Sequence, residues 1–179
     1  FAPKQTLHGT LVEVFGIGVL IQGDSGVGKS EAALALIERS HRLVADDVVE
    51  IRCVSGNVLL GKGTNAVTSH HMESRGLGII NITHLFGVGA VRDEKRVQMV
   101  VQLEEWDATK DYDRVGGEAE TTEIMGVRVP RILIPIKPGR KVPDTSLPLP
   151  KRERAPASAA ALLQIEKARK QFGGVIAVN

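Results

Sequence analysis

Aromatic side chains are scarce in this sequence: they make up 3% of its 179 residues, with a single Trp and a single Tyr. Hydrophobic residues still reach 42%, so the core has to be built mostly from Val, Ile, Leu and Ala. There is one cysteine, Cys53, which excludes an internal disulfide and suits a reducing compartment. Cys53 sits in an alternating apolar stretch and reads as a small core residue rather than a nucleophile. No apolar run approaches the about 20 residues that span a bilayer. The net charge is only +2, too small to argue for a nucleic-acid partner. What is left is a globular chain of single-domain size.

The small net charge hides an asymmetry. Residues 137–179 hold nine Lys/Arg against three acids, a balance of +6, and the remainder holds 14 against 18, a balance of −4. A basic end on an acidic body suits an acidic protein, a phosphate or a neighbouring subunit, and equally a solvated tail. The opening Phe-Ala-Pro-Lys is neither a signal peptide nor an ordinary initiation site, so the chain is expected to be a fragment of a longer protein.

Periodicity predicts strands over 10–15, 19–22, 43–45, 48–51, 58–60, 97–103, 123–129 and 131–136, the last two broken apart by Pro130. Helical spacing is clear over 30–39, and 83–91 reads as a loop or short helix. Residues 107–120 are strongly polar and read as a surface loop. Pro135 to Arg140 reads as a stiff turn. Four prolines between 142 and 156 indicate a linker or arm over 141–156. A helix is expected over 157–172, within a C-terminal helix and tail at 157–179. Residues 1–140 then form the P-loop domain itself. So many strands around so few helices depart from the usual alternation of nucleotide-binding folds, and the fold class is a strand-rich α/β domain.

Gly23, Asp24, Ser25, Gly26, Val27, Gly28, Lys29 and Ser30 match G-x-x-x-x-G-K-S/T in full. Glycines let successive backbone N–H groups turn inward on phosphate oxygens. Lys29 supplies a point charge for the terminal phosphates, Ser30 a hydroxyl for Mg²⁺, and the following helix its positive end. A glycine turn that merely caps a helix would not require that lysine and serine. The motif therefore predicts an ATP-binding phosphotransferase.

Asp46 and Asp47 follow an apolar strand, where P-loop enzymes often place an acid for Mg²⁺ or its water. Adjacent side chains on an extended strand point to opposite faces, so both approach the phosphates only if the chain turns there. The weaker alternative is a pair of solvated turn acids. Glu73 and Arg75 flank a second glycine-rich segment and suit either a Mg²⁺ and phosphate clamp or a turn with a surface ion pair. His8, His41, His70, His71 and His84 have no partners at metal-ligand spacing and by themselves single out nothing.

Taken together, several segments resemble the bacterial HPr kinase/phosphorylase family, in its C-terminal catalytic domain. They are the P-loop at 23–30, His-Arg-Leu-Val-Ala-Asp-Asp-Val at 41–48 and Glu-Ser-Arg-Gly-Leu-Gly-Ile-Ile-Asn at 73–81. Further along come Leu-Phe-Gly-Val-Gly-Ala-Val-Arg at 85–92, Tyr-Asp-Arg at 112–114 and Pro-Ile-Lys-Pro-Gly-Arg at 135–140. The likeness runs from about His8 to Arg140. It implies a bifunctional enzyme that phosphorylates a serine of the phosphocarrier HPr with ATP and removes the phosphate with inorganic phosphate, giving pyrophosphate. It also implies a role in regulating carbon metabolism, a cytoplasmic hexamer, an additional N-terminal domain in full-length members, and a core like the nucleotide-binding domain of phosphoenolpyruvate carboxykinase.

Residue by residue, the resemblance implies that Lys29 and the loop backbone hold phosphate and that Ser30 and Glu73 ligate Mg²⁺. Asp47 would be the acid/base, with Asp46 its metal or orienting neighbour. His8 and Arg114 would be active-site residues, and Pro135, Ile136, Lys137, Pro138, Gly139 and Arg140 a segment tied to dephosphorylation. Ser74 and Lys137 replace the family's usual Ile and Arg, and the sequence after Arg140 departs from it. Two alternatives follow from that tail: a related P-loop kinase for another acceptor, or an ATP-sensing module without turnover.

Overall fold

The computed structural model describes residues 3–110 and 120–136. The expected 141–156 linker, the 157–172 helix, Arg114 and residues 137–140 lie outside the described residues. Among the described residues there are eleven strands, two short helices and a 3-10 turn. The strands are β1 (Lys4–His8), β2 (Thr10–Val14), β3 (Ile17–Gly23), β4 (Arg42–Ala45), β5 (Val48–Val54), β6 (Val58–Gly63), β7 (His71–Ser74), β8 (Gly78–Asn81), β9 (Glu94–Glu105), β10 (Glu120–Ile124) and β11 (Val127–Ile136). Helix α1 (Lys29–Ile37) follows the P-loop, and α2 (Ile82–Phe86) leads into the 3-10 turn Val88–Ala90.

Nine strands share one sheet in the order β1-β5-β6-β9-β3-β2-β4, with β11 also on β9 and β10 on β11; β7 and β8 form a separate hairpin. Alternate residues of the central strands feed two different cores. Val19 and Ile21 of β3 and Met99, Val101 and Leu103 of β9 pack with Ala33, Leu36 and Ile37 of α1. Leu20 of β3 and Val97 and Val100 of β9 join Val49, Ile51, Leu59, Ile124 and Val129. Helix covers one face and other strands cover the second, which accounts for the excess of strands. A strand buried on both faces reads as a continuous apolar run, as Val19, Leu20 and Ile21 do at 2%, 0% and 0% exposure.

Where β3 meets β9, a Cβ on Gly18 would fall 1.9 Å from the Arg96 carbonyl oxygen. Only glycine permits that approach.

Three expectations are corrected. Pro130 does not break the last strand: β11 is continuous, pairing with β10 through Pro130 and with β9 only from Arg131 onward. One edge of β11 therefore has no β9 partner at Pro130, where the missing N–H is tolerated. Pro135 and Ile136 end this strand opposite Glu104 and Glu105, rather than starting a turn. The strands do not begin at residue 10: Lys4–His8 already pairs with β5, and His8 closes that strand. Among the described residues no helix is long and apolar enough to cross a membrane.

Candidate active site

Strand direction gathers the site. β3, β9 and β11 run parallel, with Gly23 level with Leu103 and Leu103 level with Ile134. β4 runs antiparallel to β2, which runs antiparallel to β3, so β4 also ends on this side. The P-loop, Asp46 and the Pro135–Ile136 pair thus leave the sheet at the same carboxyl edge, where open α/β sheets bind ligands.

The loop turns from β3 into α1 at Gly28, the helix N-cap residue, with φ 107°. Val27, 8% exposed, plugs it into the core. Lys29 Nζ donates to the carbonyls of Gly23 and Asp24, each at 2.9 Å. At Gly26, φ is +84° and an added Cβ would lie 2.3 Å from a terminal nitrogen of Arg75. The guanidinium of the β7–β8 turn is therefore packed directly onto the bare backbone of the phosphate loop.

The two aspartates diverge. Strand β4 ends at Ala45, and Val48 N donates to Asp46 O at 2.8 Å across Asp47, whose φ is 66°. This is a γ-turn in its rarer, strained hand, and it breaks the extended run. Asp46 is drawn inward: Thr10 Oγ1 donates to its Oδ1 at 2.7 Å, and Ser30 Oγ lies 3.1 and 3.0 Å from its two oxygens. Its carboxylate also accepts the backbone N–H groups of Asp47 and Glu73. Burial pushes the Asp46 carboxyl above the ordinary carboxylate range, and these hydrogen bonds offset that only in part.

Asp47 stands in the open beside His8, with side chains 82% and 85% exposed and Oδ1 3.8 Å from Nδ1. That is an ionic approach rather than a hydrogen bond. The backbones are tied by Gly9 N donating to Asp47 O at 3.0 Å.

Ser30, Asp46 and the backbone of Glu73 thus come together at the mouth of the loop. The Ser30 hydroxyl and the Asp46 carboxylate are hard oxygen donors and suit Mg²⁺, which keeps its remaining positions for phosphate oxygens and water. Among the described residues no group of three or more His, Cys, Asp or Glu is placed to hold a metal. The remaining histidines are placed elsewhere: His41 is 6% exposed with its ring edge-on to Phe15, His70 lies 3.5 Å from Asp93, His71 meets Asn81 at 3.3 Å, and His84 is exposed on α2. Arg75 was visible in sequence only as half of a possible clamp, and its seat on Gly26 depends on a hairpin that the glycine-rich run conceals.

Residues 1–145 match the family model described as HPr Serine kinase C-terminal domain. The chain belongs to this family. Among curated relatives of the HPr serine kinase C-terminal domain, the HPr kinase/phosphorylase of Treponema pallidum (strain Nichols) is 64% identical over 143 residues, 80% of this chain and 45% of that protein. The HPr kinase/phosphorylase of Leptospira biflexa is 57% identical over 144 residues, 79% of this chain and 44% of that protein. The chain therefore spans a little under half the length of the curated relatives it matches. The solved Hpr(Ser) kinase/phosphatase of Coxiella burnetii superposes with a TM-score of 0.76 at 30% identity, covering 96% of this chain and 94% of that one.

Proposed function

We propose that this domain is the catalytic part of a serine-protein kinase/phosphorylase that uses ATP and Mg²⁺ to phosphorylate HPr and inorganic phosphate to reverse the transfer. One observation carries the reading: Ser30 of the P-loop and the backbone of Glu73 both bond the half-buried Asp46, while the neighbouring Asp47 faces outward beside His8. Nucleotide binding alone would need the loop and its lysine; a second, exposed carboxylate on a strained turn points to proton transfer.

In the forward direction Asp47, oriented by His8, accepts the proton of the attacking seryl hydroxyl. Lys29, Arg75 and the loop N–H groups hold the phosphates, and ADP leaves with the old bond to phosphorus. Ser30, Glu73 and Asp46 would hold Mg²⁺, which when bound neutralises phosphate charge. In reverse, an oxygen of inorganic phosphate attacks the phosphorus of phosphoserine. Asp47 returns a proton to the departing seryl oxygen, and pyrophosphate forms. Arg114 and residues 135–140 complete the set in this proposal, the latter serving dephosphorylation.

The cytoplasmic setting, hexameric assembly and phosphoenolpyruvate carboxykinase-like core belong to the same proposal, as does the division into 1–140, 141–156 and 157–179. The test is transfer of label from radiolabelled ATP to the HPr serine, followed by pyrophosphate release on adding phosphate. Intact protein that labels no HPr rejects the reading.

A further inference from the structure

The β7–β8 hairpin has two unlike faces. Met72 and Ser74 of β7 are 1% and 7% exposed, and Ile80 of β8 packs against the core that contains α1. The opposite face is formed where Glu73 pairs with Ile79. Directly opposed residues on one face of an antiparallel pair lie about 5 Å apart at Cβ, so Ile79 stands beside Glu73, whose backbone N–H is bonded to Asp46. Ile79 is 76% exposed, and Leu77, in the turn before it, is 68% exposed. Nothing in a nucleotide's phosphates or in a hydrated cation favours two bare aliphatic side chains at that place. The hairpin is also held in position, since Arg75 in the same turn rests on Gly26 of the phosphate loop.

An acceptor small enough to enter between the loop and Asp47 would leave Leu77 and Ile79 in water. A protein that delivers a serine to the same point has to lay the surface around that serine over the hairpin. We infer that Leu77 and Ile79 form the docking edge for the protein acceptor, and that the acceptor carries an apolar patch next to its serine. This inference rests on the proposed protein-kinase reading and deepens it. The face is continuous with the reaction site through the Glu73–Ile79 pair, and its position is coupled to the nucleotide loop through Arg75. Docking and phosphate binding would then share one rigid hairpin, with polar recognition by Glu73 and Arg75 and apolar recognition by Ile79 and Leu77.

The experiment compares the full chain with its Leu77→Ser, Ile79→Ser doubly substituted form, and with Ile79→Leu. Steady-state transfer to HPr, the KM for ATP and the solution mass are measured for each. Both side chains are exposed, so the serine substitutions remove little folding energy, and a melting curve checks this. The expected result is a KM for HPr raised about tenfold or more, as for apolar hot-spot residues. The KM for ATP, the rate at saturating HPr and the mass should be unchanged, and Ile79→Leu should behave like the parent. An unchanged KM for HPr overturns the inference while leaving the kinase reading intact. A raised KM for ATP overturns it in favour of a nucleotide contact, and a smaller solution mass overturns it in favour of a contact between copies. Absence of any transfer to HPr by the parent chain removes the kinase reading and this inference with it.

Discussion

Replacing Gly26 with alanine probes whether the phosphate loop and the β7–β8 hairpin act as one unit. The new methyl meets two difficulties. The backbone sits at φ +84°, and the added carbon lies 2.3 Å from one terminal nitrogen of Arg75, 3.3 Å from its central carbon and 3.7 Å from the other nitrogen. Holding a non-glycine residue in a left-handed conformation costs about 1–2 kcal/mol, which for a domain of this size lowers Tm by about 2–4 °C for each kcal/mol. That strain is common to the free and the ATP-bound protein and cancels in the binding constant. The displacement of Arg75 does not cancel. A hydrogen bond to a charged group is worth about 1.5–3 kcal/mol, so Gly26→Ala should weaken ATP binding about 10- to 150-fold. Titration calorimetry with Mg²⁺ present reads this directly. Arg75→Ala should produce a similar loss with no drop in Tm. Adding Gly26→Ala to Arg75→Ala should then cost almost no further affinity, because the group that the methyl displaces is already gone. If the two losses simply add, or if Arg75→Ala binds ATP like the parent, the guanidinium is not part of the phosphate cradle.

Three further outcomes follow from the same geometry. Asp47→Ala should lower transfer in both directions by about 10²–10⁴-fold, the usual worth of a general base, with ATP affinity retained; equal turnover would remove the acid/base assignment. Burial raises the Asp46 carboxyl above the 3.8 of an ordinary aspartate, so the folded state holds that proton more tightly than the unfolded chain. The resulting stability is fully present below 3.8 and lost as pH rises through the higher folded value. Denaturant melts of the parent and Asp46→Asn should therefore converge or cross over that window, and a pH-independent difference would refute the burial argument. Glu13 shifts the opposite way: burial alone would raise it, but hydrogen bonds from Lys95 and Arg92 hold it below 4.5. Its side chain is 9% exposed and faces Lys95 at 2.7 Å, Arg92 at 2.5 Å and Arg42 at 3.5 Å. Glu13→Gln should cost about 3 kcal/mol at neutral pH, the lower end for a broken buried pair, because both arginines are partly in water. The deficit should shrink as pH falls below 4.5 through the lowered folded value. A deficit unchanged in acid would mean that packing, not charge, holds Glu13 in place.

The parts of this molecule legible in its sequence are those whose causes are local. The P-loop is a consecutive run with its lysine and serine at required positions, and α1 begins at Lys29 within one residue of expectation. β2, β3, β4 and β9 advertise burial through unbroken or alternating Val, Ile and Leu. β1 and β7 read Lys-Gln-Thr-Leu-His and His-Met-Glu-Ser, with no apolar pattern to mark them, and they exist because a partner strand supplies their hydrogen bonds. The same division runs through the site. Lys29 and Ser30 follow from the motif alone. His8 reaches Asp47 only because β1 registers His8 opposite Val48, forty positions along the chain, which no local spacing encodes. The sharpest case is the aspartate pair. Extended geometry would send the two carboxylates to opposite faces of one strand, and the chain does separate them, but by a γ-turn at Asp47 rather than by the pleat. That turn leaves one carboxylate half-buried against Ser30 with a raised pKa while its neighbour stays exposed. Two chemically identical side chains thereby take up two different environments, and it is on this difference, not on the Asp-Asp dipeptide, that the proposed division into a metal residue and a proton-transfer residue rests.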